Sequence, residues 1–186
     1  MKAYRMMISV SVFLMLMAIS AGAEEKTIET LSAEGEAAAA ASASVKPTPQ
    51  MIIDKVNKAC EILSKEGRAA FIKFKGADSE FIFAGTYIWI HDMKGVMQMH
   101  PIKHKMEGKE LIGLKDNTGK RFFVEMTNIA KEKGFGWVDY MWPKPGEKNP
   151  SRKVSYIKKC VVDGEDLIIG CGVYDMSESE MKTILK

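Results

Sequence analysis

Residues 136–174 read GWVDYMWPKPGEKNPSRKVSYIKKCVVDGEDLIIGCGVY and contain three strand candidates in succession. The candidates are Gly136–Trp142, Lys153–Val162 and Leu167–Tyr174, and all three contain the β-branched and aromatic residues that favour strands. The first two are separated by a segment rich in Pro and Gly, and the last two by Asp163-Gly164-Glu165-Asp166. Because such segments form turns, this stretch predicts a meander of three antiparallel strands.

Two further strands are predicted upstream of the meander. From Thr86 to His91, polar or aromatic residues alternate with isoleucine, and the turn signal Asp92-Met93-Lys94-Gly95 leads into Val96–His100. Pro101 ends the second strand, since proline has no amide hydrogen to donate to a sheet. The pattern predicts a hairpin.

Helices are predicted around these strands. Apolar residues recur at helical spacing over Met51–Gly67 and again over Lys120–Lys133, and Ser177 with Glu180 forms a capping box at the start of a last helix. We therefore expect an α+β domain, a five-stranded antiparallel sheet with a long N-terminal helix and flanking helices. A doubly wound nucleotide-binding fold is excluded, because the sequence lacks the glycine-rich phosphate motifs.

The first 50 residues differ in composition from the rest of the chain. Residues 1–23 combine early basic residues, an apolar run over Met6–Ile19 and the small residues Ala21-Gly22-Ala23, the layout of a cleaved signal peptide. An uncleaved membrane anchor is the alternative, although a spanning helix usually needs about 20 apolar residues. Residues 24–50 include EGEAAAAASASVKPTP and are expected to form a flexible linker before a domain over 51–186.

Composition and charge narrow the classes of function. With 46% apolar and 27% charged residues, the chain is typical of globular domains rather than collagen-like, disordered or polytopic membrane proteins. The net charge of +3 fits an anionic small ligand. We expect no nucleic-acid partner, because the basic residues do not form a stripe interleaved with aromatics.

Several short segments, in a fixed order, carry a family resemblance. They are Asp92–Pro101, Gly108-Lys109-Glu110-Leu111, Asp116-Asn117-Thr118-Gly119-Lys120, Gly134–Trp142, Lys153–Lys158 and Gly170–Tyr174. In this order and spacing, residues 51 to about 180 resemble the single Cache domain, the PAS-like extracellular sensing module of chemoreceptors and histidine kinases.

The resemblance implies a function as well as a fold. It implies that a small organic acid such as acetate, propionate, pyruvate or lactate binds on one face of the sheet, with no cofactor. Receptor versions continue into an output module, whereas this sequence ends at Lys186, so we expect a stand-alone exported domain, periplasmic or secreted. A membrane sensor kinase or chemoreceptor is the expected partner, and a homodimer is a further candidate.

A buried carboxylate needs hydrogen-bonding or cationic partners, which guides the choice of site residues. Strand alternation puts Tyr140 and Trp142 on one face of their strand. Tyr156 and Lys153 offer a phenol and an ammonium from opposite faces of the next strand. Lys153 is therefore expected to reach the site from the start of the strand or from a bulge, and it ranks below Tyr140. The predicted ligand-binding residues are Tyr140, Trp142, Tyr156, Lys153, His100 and Trp89. Tyr87 is an alternative wall residue.

Each of these residues also has a purely structural interpretation. Aromatic side chains on alternating strand positions usually form core, and a single histidine such as His100 is usually structural. His91, beside a turn, is expected to be exposed or to cap the turn. A module that has lost its ligand and acts through dimerisation or partner docking is therefore the alternative function. In that case Met97, Met99 or Met141 would fill the pocket.

Catalysis and metal binding are not expected. His100 and His104 have a metal-like spacing, but Pro101 lies between them and interrupts the helix that such a site would need. Of the three cysteines, Cys160 and Cys171 lie on adjacent predicted strands, so a disulfide between them is a candidate that depends on the exact strand register.

Overall fold

The structure is a computed structural model that describes residues 28–185. The predicted signal peptide, residues 1–23, lies outside the described residues. The described chain begins with helix α1 over 28–41, followed by helix α2, Pro49–Glu66, and a 3-10 helix, Gly67–Phe74. Thr48 caps α2 by accepting a hydrogen bond from the amide of Met51, and Gly67 ends α2 with a φ of 66°.

The strands form one antiparallel sheet. They are β1 (Ile82–Phe83), β2 (Thr86–Asp92), β3 (Met97–Met99), β4 (Phe135–Pro143), β5 (Pro150–Val162) and β6 (Glu165–Tyr174). The order is β1-β2-β6-β5-β4, and β3 also pairs with β2. The predicted α+β class and all five predicted strands are confirmed. The sixth, β1, has only two residues, too few to show an alternating pattern.

The register aligns one row of side chains across three strands. Lys153 on β5 lies opposite Tyr140 on β4 and opposite Tyr174 on β6. Residues that are directly opposite in an antiparallel pair point to the same face of the sheet. Tyr140, Lys153 and Tyr174 are therefore neighbours on one face.

Helices cover both faces of the sheet. Helix α2 buries Ile52, Val56, Ala59 and Leu63 in the core on one face. On the other face lies helix α3, Phe122–Glu132, with Phe122, Phe123 and Met126 among its buried residues. The last helix, α4, spans Glu178–Ile184 and begins with the predicted capping box of Ser177 and Glu180. Across residues 28–185, no helix combines the length and the apolar character needed to cross a membrane.

Helix α1 occupies part of the segment that was expected to be a flexible linker. Its buried residues are Ser32, Gly35 and Ala39, spaced by three and four positions along one helix face. Small residues let the helix approach the domain closely although it has no bulky side chain to bury there. The expectation of a linker therefore does not hold for residues 28–41.

The disulfide differs from the predicted pairing. Cys60 on α2 is bonded to Cys160 on β5, with 5.8 Å between the Cα atoms, and Cys171 is buried and free. The register explains the difference, since Cys160 lies opposite Leu167 while Cys171 lies opposite Tyr156. The predicted Cys160–Cys171 bond is therefore wrong, and the actual bond ties α2 to the sheet.

Candidate ligand-binding site

A small cavity lies between α3 and the sheet face that carries Lys153. Its volume is about 10 Å³, close to the minimum that holds one water molecule. The residues that line it are Tyr87, Trp89, Met97, His100, Met106, Phe122, Phe123, Met126, Tyr140, Trp142 and Lys153. Most of the wall is aromatic or thioether, with a few polar groups, as in many small-molecule sites.

Lys153 supplies a buried amine to this cavity. The residue is 0% exposed, and its Nζ has no hydrogen-bond partner within the part of the chain that the structure describes. Nζ lies 4.3 Å from the centroid of the Tyr87 ring and 5.0 Å from that of Tyr174, within the range of cation–π contacts. Loss of hydration on burial lowers the pKa of Lys153 to about 7.

Two glycines on β6 make room for the side chains of neighbouring strands. A Cβ atom at Gly172 would lie 2.3 Å from Cε of Lys153, and a Cβ atom at Gly170 would lie 2.2 Å from the Trp89 ring. Real Cβ contacts are not this short, so any side chain at either position would displace Lys153 or Trp89. Because Gly170 and Gly172 have no side chains, Trp89 and Lys153 can pack across β6 at these positions.

Phenol and indole groups form the wall beside Lys153. The Tyr140 ring stacks on Phe122 with 4.4 Å between centroids, and its hydroxyl lies 3.0 Å from the hydroxyl of Ser155. Trp142 Nε1 donates a hydrogen bond of 3.2 Å to the hydroxyl of Tyr87. Burial raises the pKa of both Tyr87 and Tyr140, which keeps both phenols neutral and able to donate.

His100 follows β3 and is held in one tautomer by the backbone. Its Nδ1 accepts hydrogen bonds from the amides of Lys103 (3.0 Å) and Ile102 (3.4 Å). Burial first, and then the charge of Lys153, hold the pKa of His100 well below its usual value. The ring is therefore neutral at physiological pH and carries its proton on Nε2, which makes Nε2 a hydrogen-bond donor.

The structure brings five of the six predicted site residues to this cavity. They are Tyr140, Trp142, Lys153, His100 and Trp89. Tyr156 instead lies on the α2 face, where its ring centroid is 5.3 Å from that of Trp137. Lys153 and Tyr156 do lie on opposite faces, as expected, but Lys153 is the one that faces the cavity, and it needs no bulge to do so.

Some contributions to the site were not predicted from the sequence. Tyr174 and Ser155 lie beside Lys153 and Tyr140, and Phe122, Phe123 and Met106 complete the wall. A signal was present in Gly170-Cys171-Gly172, because glycine inside a strand often marks the close approach of another group. This signal does not indicate which side chain fills the space.

Two histidine expectations can be compared with the structure. His91 is fully buried rather than exposed, because it stacks on Trp89 with 5.4 Å between ring centroids and meets the edge of Phe123. His104 begins a short 3-10 helix, His104–Met106, and does not itself line the cavity, whereas Met106 does. Among residues 28–185, no group of three or more His, Cys, Asp or Glu side chains could hold a metal ion.

Comparison with known proteins identifies relatives of the chain. Methyl-accepting chemotaxis protein McpP of Pseudomonas putida (strain KT2440) is 41% identical over 88 residues, which cover 47% of this chain and 16% of McpP. The chain thus matches about a sixth of that relative's length. A Cache chemosensory domain solved for the structural basis of carboxylic acid recognition is 42% identical, with a TM-score of 0.46, covering 49% of this chain and 60% of that one. A periplasmic sensor domain of a chemotaxis protein is 34% identical, with a TM-score of 0.46, covering 49% of this chain and 62% of that one.

The family assignment rests on a longer match than those relatives provide. The family model described as Cache domain matches residues 50–185. This range begins next to the start of α2 and includes all six strands, the cavity and α4. The chain belongs to the Cache domain family of PAS-like sensor domains, related to chemotaxis receptors.

Proposed function

We propose that this Cache domain senses a short-chain carboxylate, which binds in the cavity with its carboxylate group against Lys153. The observation that carries the proposal is the buried Nζ of Lys153, for which the described residues provide no hydrogen-bond partner. An unpaired ammonium in an apolar site is costly, and an anion that pairs with it removes much of that cost. A carboxylate is the simplest organic group of this kind.

The surrounding donors fit a carboxylate rather than a cation. Near Lys153, neutral His100 carries its proton on Nε2, and Tyr140 has a neutral phenol. None of the residues lining the cavity in the described chain is Asp or Glu. The ammonium group of an amino acid would therefore have no charged partner at this site, which supports simple carboxylic acids over amino acids.

The size of the cavity restricts the ligand to small acids. With about 10 Å³ available, even acetate requires neighbouring side chains to move. Met97 and Met106 line the cavity and have flexible side chains that adopt alternative rotamers at low cost. Movement of these two side chains would create space for two or three carbon atoms beside Lys153.

Two features support a location outside the cytoplasm. The sequence of residues 1–23 has the layout of a signal peptide. The Cys60–Cys160 disulfide is of a kind that persists in the periplasm or in the medium and is rare in reducing compartments. We infer that the domain is exported and reports its ligand to a membrane chemoreceptor or sensor kinase, in line with its relation to a chemotaxis protein.

Thermal unfolding with a panel of acids tests the proposal. Residues 24–186, refolded to remove any carried ligand, are heated with formate, acetate, propionate, pyruvate, lactate or glycine. A ligand that binds the native state raises the melting temperature in proportion to the logarithm of its concentration. We expect a dose-dependent rise with at least one acid and none with glycine.

Paired tyrosine variants locate the binding site. Tyr140→Phe removes a phenol from the cavity, whereas Tyr156→Phe removes one from the opposite face of the sheet. We expect only Tyr140→Phe to reduce the shift. Equal effects of the two variants would contradict the assigned site.

One observation favours a second function. The cavity is almost filled, and Met97, one of the side chains expected to close it, does line it, whereas Met99 belongs to the core on the α2 face. A module without a ligand would act through an exposed apolar surface, and Phe135 on edge strand β4 is 55% exposed. An absence of any thermal shift at millimolar acid, together with dimers in analytical ultracentrifugation, would favour this function.

A further inference from the structure

Helix α1 lies outside the family match, which begins at residue 50, and it packs beside the segment that follows the cavity residue His100. Ala39 is fully buried in the same core cluster as Tyr87, Trp89 and Tyr140. At Gly35 the helix backbone passes so close to that segment that a Cβ atom would lie 3.2 Å from the carbonyl oxygen of Pro101. Residues of α1 also share a cleft with the cavity residue Met106.

Polar contacts hold α1 to the loops beside the site. Glu36 Oε1 accepts a hydrogen bond of 3.2 Å from the amide of Gly146, in the loop between β4 and β5. Ser42 Oγ accepts one of 3.1 Å from the amide of Gly85, in the turn before β2. Both acceptors are partly exposed, so water can replace these bonds when the helix leaves.

The charge of Glu36 also acts on the site beneath the helix. Lys103 places its Nζ 5.0 Å from the ring centroid of Trp142, a cavity residue. Burial lowers the pKa of Lys103, and the charge of Glu36 opposes that effect. Burial raises the pKa of Tyr87, and Glu36 adds to that rise. Glu36 and Lys103 line the same cleft beside α1, together with the cavity residue Met106.

Open clefts flank helix α1. Residues of α1 and neighbouring segments line clefts of about 330 Å³ and about 400 Å³. The buried residues of α1 are the small residues Ser32, Gly35 and Ala39. Because small side chains bury little apolar area, we expect α1 to detach at a lower free energy than unfolding of the sheet requires.

We propose that α1 is a lid on the carboxylate site, and that it must lift before the ligand can enter or leave. The ligand in this inference is taken from the proposed function, whereas the motion of α1 does not depend on that function. Residues 42–48, which connect α1 to α2, serve as the hinge. With the lid closed the cavity is too small for an acid, so lifting of α1 gives Met106 the space to move and opens access to Lys153.

A disulfide that fastens the lid tests this inference. A Cβ atom at Gly146 would lie 3.9 Å from Cβ of Ala40, a separation that suits a disulfide. The double variant Ala40→Cys/Gly146→Cys is compared with the two single variants under the same oxidising conditions. The Gly146→Cys single variant carries the same strain at position 146, where φ is 76°, without the crosslink, and Ala40→Cys controls for the added thiol on the helix.

The readout is the reactivity of the Lys153 amine, which needs no ligand. Reductive methylation is followed by peptide mass spectrometry, with Lys159, a partly exposed lysine on the same strand, as the internal reference. In the crosslinked variant we expect methylation of Lys153 to slow by about tenfold or more, and acetate association and dissociation to slow by a similar factor. Equal methylation rates in the crosslinked and single variants would contradict the proposal that α1 is a lid.

A variant that loosens the lid tests the opposite direction. Ala39→Asp places a carboxylate in the buried contact of α1, and Ala40→Asp, at an exposed position on the same helix, is the matched control. We expect Ala39→Asp alone to raise the rate of Lys153 methylation by about tenfold, because it shifts α1 toward the detached state. An unchanged rate would contradict the proposal.

The two readouts separate this inference from the proposed function. If methylation of Lys153 follows the state of α1 but no acid of the panel binds, the lid stands and the carboxylate function fails. If acids bind but neither variant changes the methylation rate or the rates of binding, the lid fails and the carboxylate function stands.

Discussion

The side chain of Lys153 lies across Gly172 on the neighbouring strand, where a Cβ atom would approach Lys153 Cε to 2.3 Å and Ser155 Oγ to 2.2 Å. This contact places the buried amine at the cavity rather than beside its own strand. The absence of a side chain at one position therefore determines the position of the charge at another.

Replacing Gly172 with alanine is expected to disturb the site directly. The added methyl group must displace Lys153 or Ser155, and overpacking of this kind costs about 1–3 kcal/mol of unfolding free energy. We expect acid binding to weaken by about tenfold or more, since Lys153 leaves its position. Calorimetric titration and urea unfolding measure the two effects.

Gly113→Ala is the matched control for that substitution. An added Cβ atom at Gly113 meets no atom within 4 Å. Its binding and stability should equal those of the unmodified protein. If Gly172→Ala behaves in the same way as this control, the contact between Gly172 and Lys153 does not position the amine.

Replacing Lys153 with methionine should remove acid binding and stabilise the protein. The amine is buried without a partner among the described residues, and replacing buried charge by an apolar side chain of similar size is often stabilising, here by about 1–4 kcal/mol at neutral pH. Lys159→Met, at a partly exposed position on the same strand where the lysine pairs with Asp166, is the control and should retain binding. A destabilised Lys153→Met protein would contradict the energetic cost assigned to the amine.

The stabilisation by Lys153→Met should depend on pH. The pKa of Lys153 is about 7 in the folded protein and 10.5 ordinarily, so the unfolded chain binds more protons between these values. The stability of the unmodified protein therefore rises with pH across this window, and the advantage of the variant shrinks. Urea unfolding of both proteins near pH 7 and near pH 10 checks this sign.

Acid affinity should fall as pH rises above about 7. The carboxylate pairs with the protonated amine, so binding above the free-state pKa requires uptake of a proton, and affinity decreases by up to about tenfold per pH unit. His100 stays neutral in this range because its pKa is far lower, and burial raises the pKa of the neighbouring Cys171 to about 11. Titration calorimetry in buffers of different ionisation enthalpy measures both the affinity and the proton uptake, and an affinity independent of pH would contradict the pairing.

Loss of the disulfide should affect stability but not binding. The Cys60–Cys160 bond closes a loop of 100 residues on the face of the sheet opposite the cavity. We expect Cys60→Ala/Cys160→Ala to lower the unfolding free energy by about 2–4 kcal/mol and to leave acid affinity within twofold. Peptide mapping of the unreduced protein should find Cys60 joined to Cys160, and a Cys160–Cys171 peptide would contradict the structure.

Much of the architecture could be predicted from local patterns. Turn residues and alternation indicated five strands, and the strand that contains Tyr140 and Trp142 was assigned the correct inward face. These features follow from neighbours along the chain, because alternation on one strand defines its two faces. Alternation along β5 places Lys153 and Tyr156 on opposite faces of the sheet, but it does not show which of the two faces packs against α2.

Other features depend on contacts between distant segments. The choice of Cys60 over Cys171 as partner of Cys160 depends on the packing of α2 across the sheet and on the register of β5 and β6. Helix α1 was missed because small residues give a weak pattern. The helix is buried through contacts with the folded domain, which its small residues can approach closely, and these contacts are not visible in the sequence.

The sequence by itself determined the strands, the main helices, the family resemblance and the types of side chain available for a site, because these depend on local order and spacing. The tertiary structure decided which of them meet. It put Lys153 rather than Tyr156 into the cavity, bonded Cys60 to Cys160, and packed α1 against the core cluster that contains Tyr87 and Tyr140. The physical reason is that charge, burial and covalent pairing depend on neighbours in space, and those neighbours come from segments 100 or more residues apart.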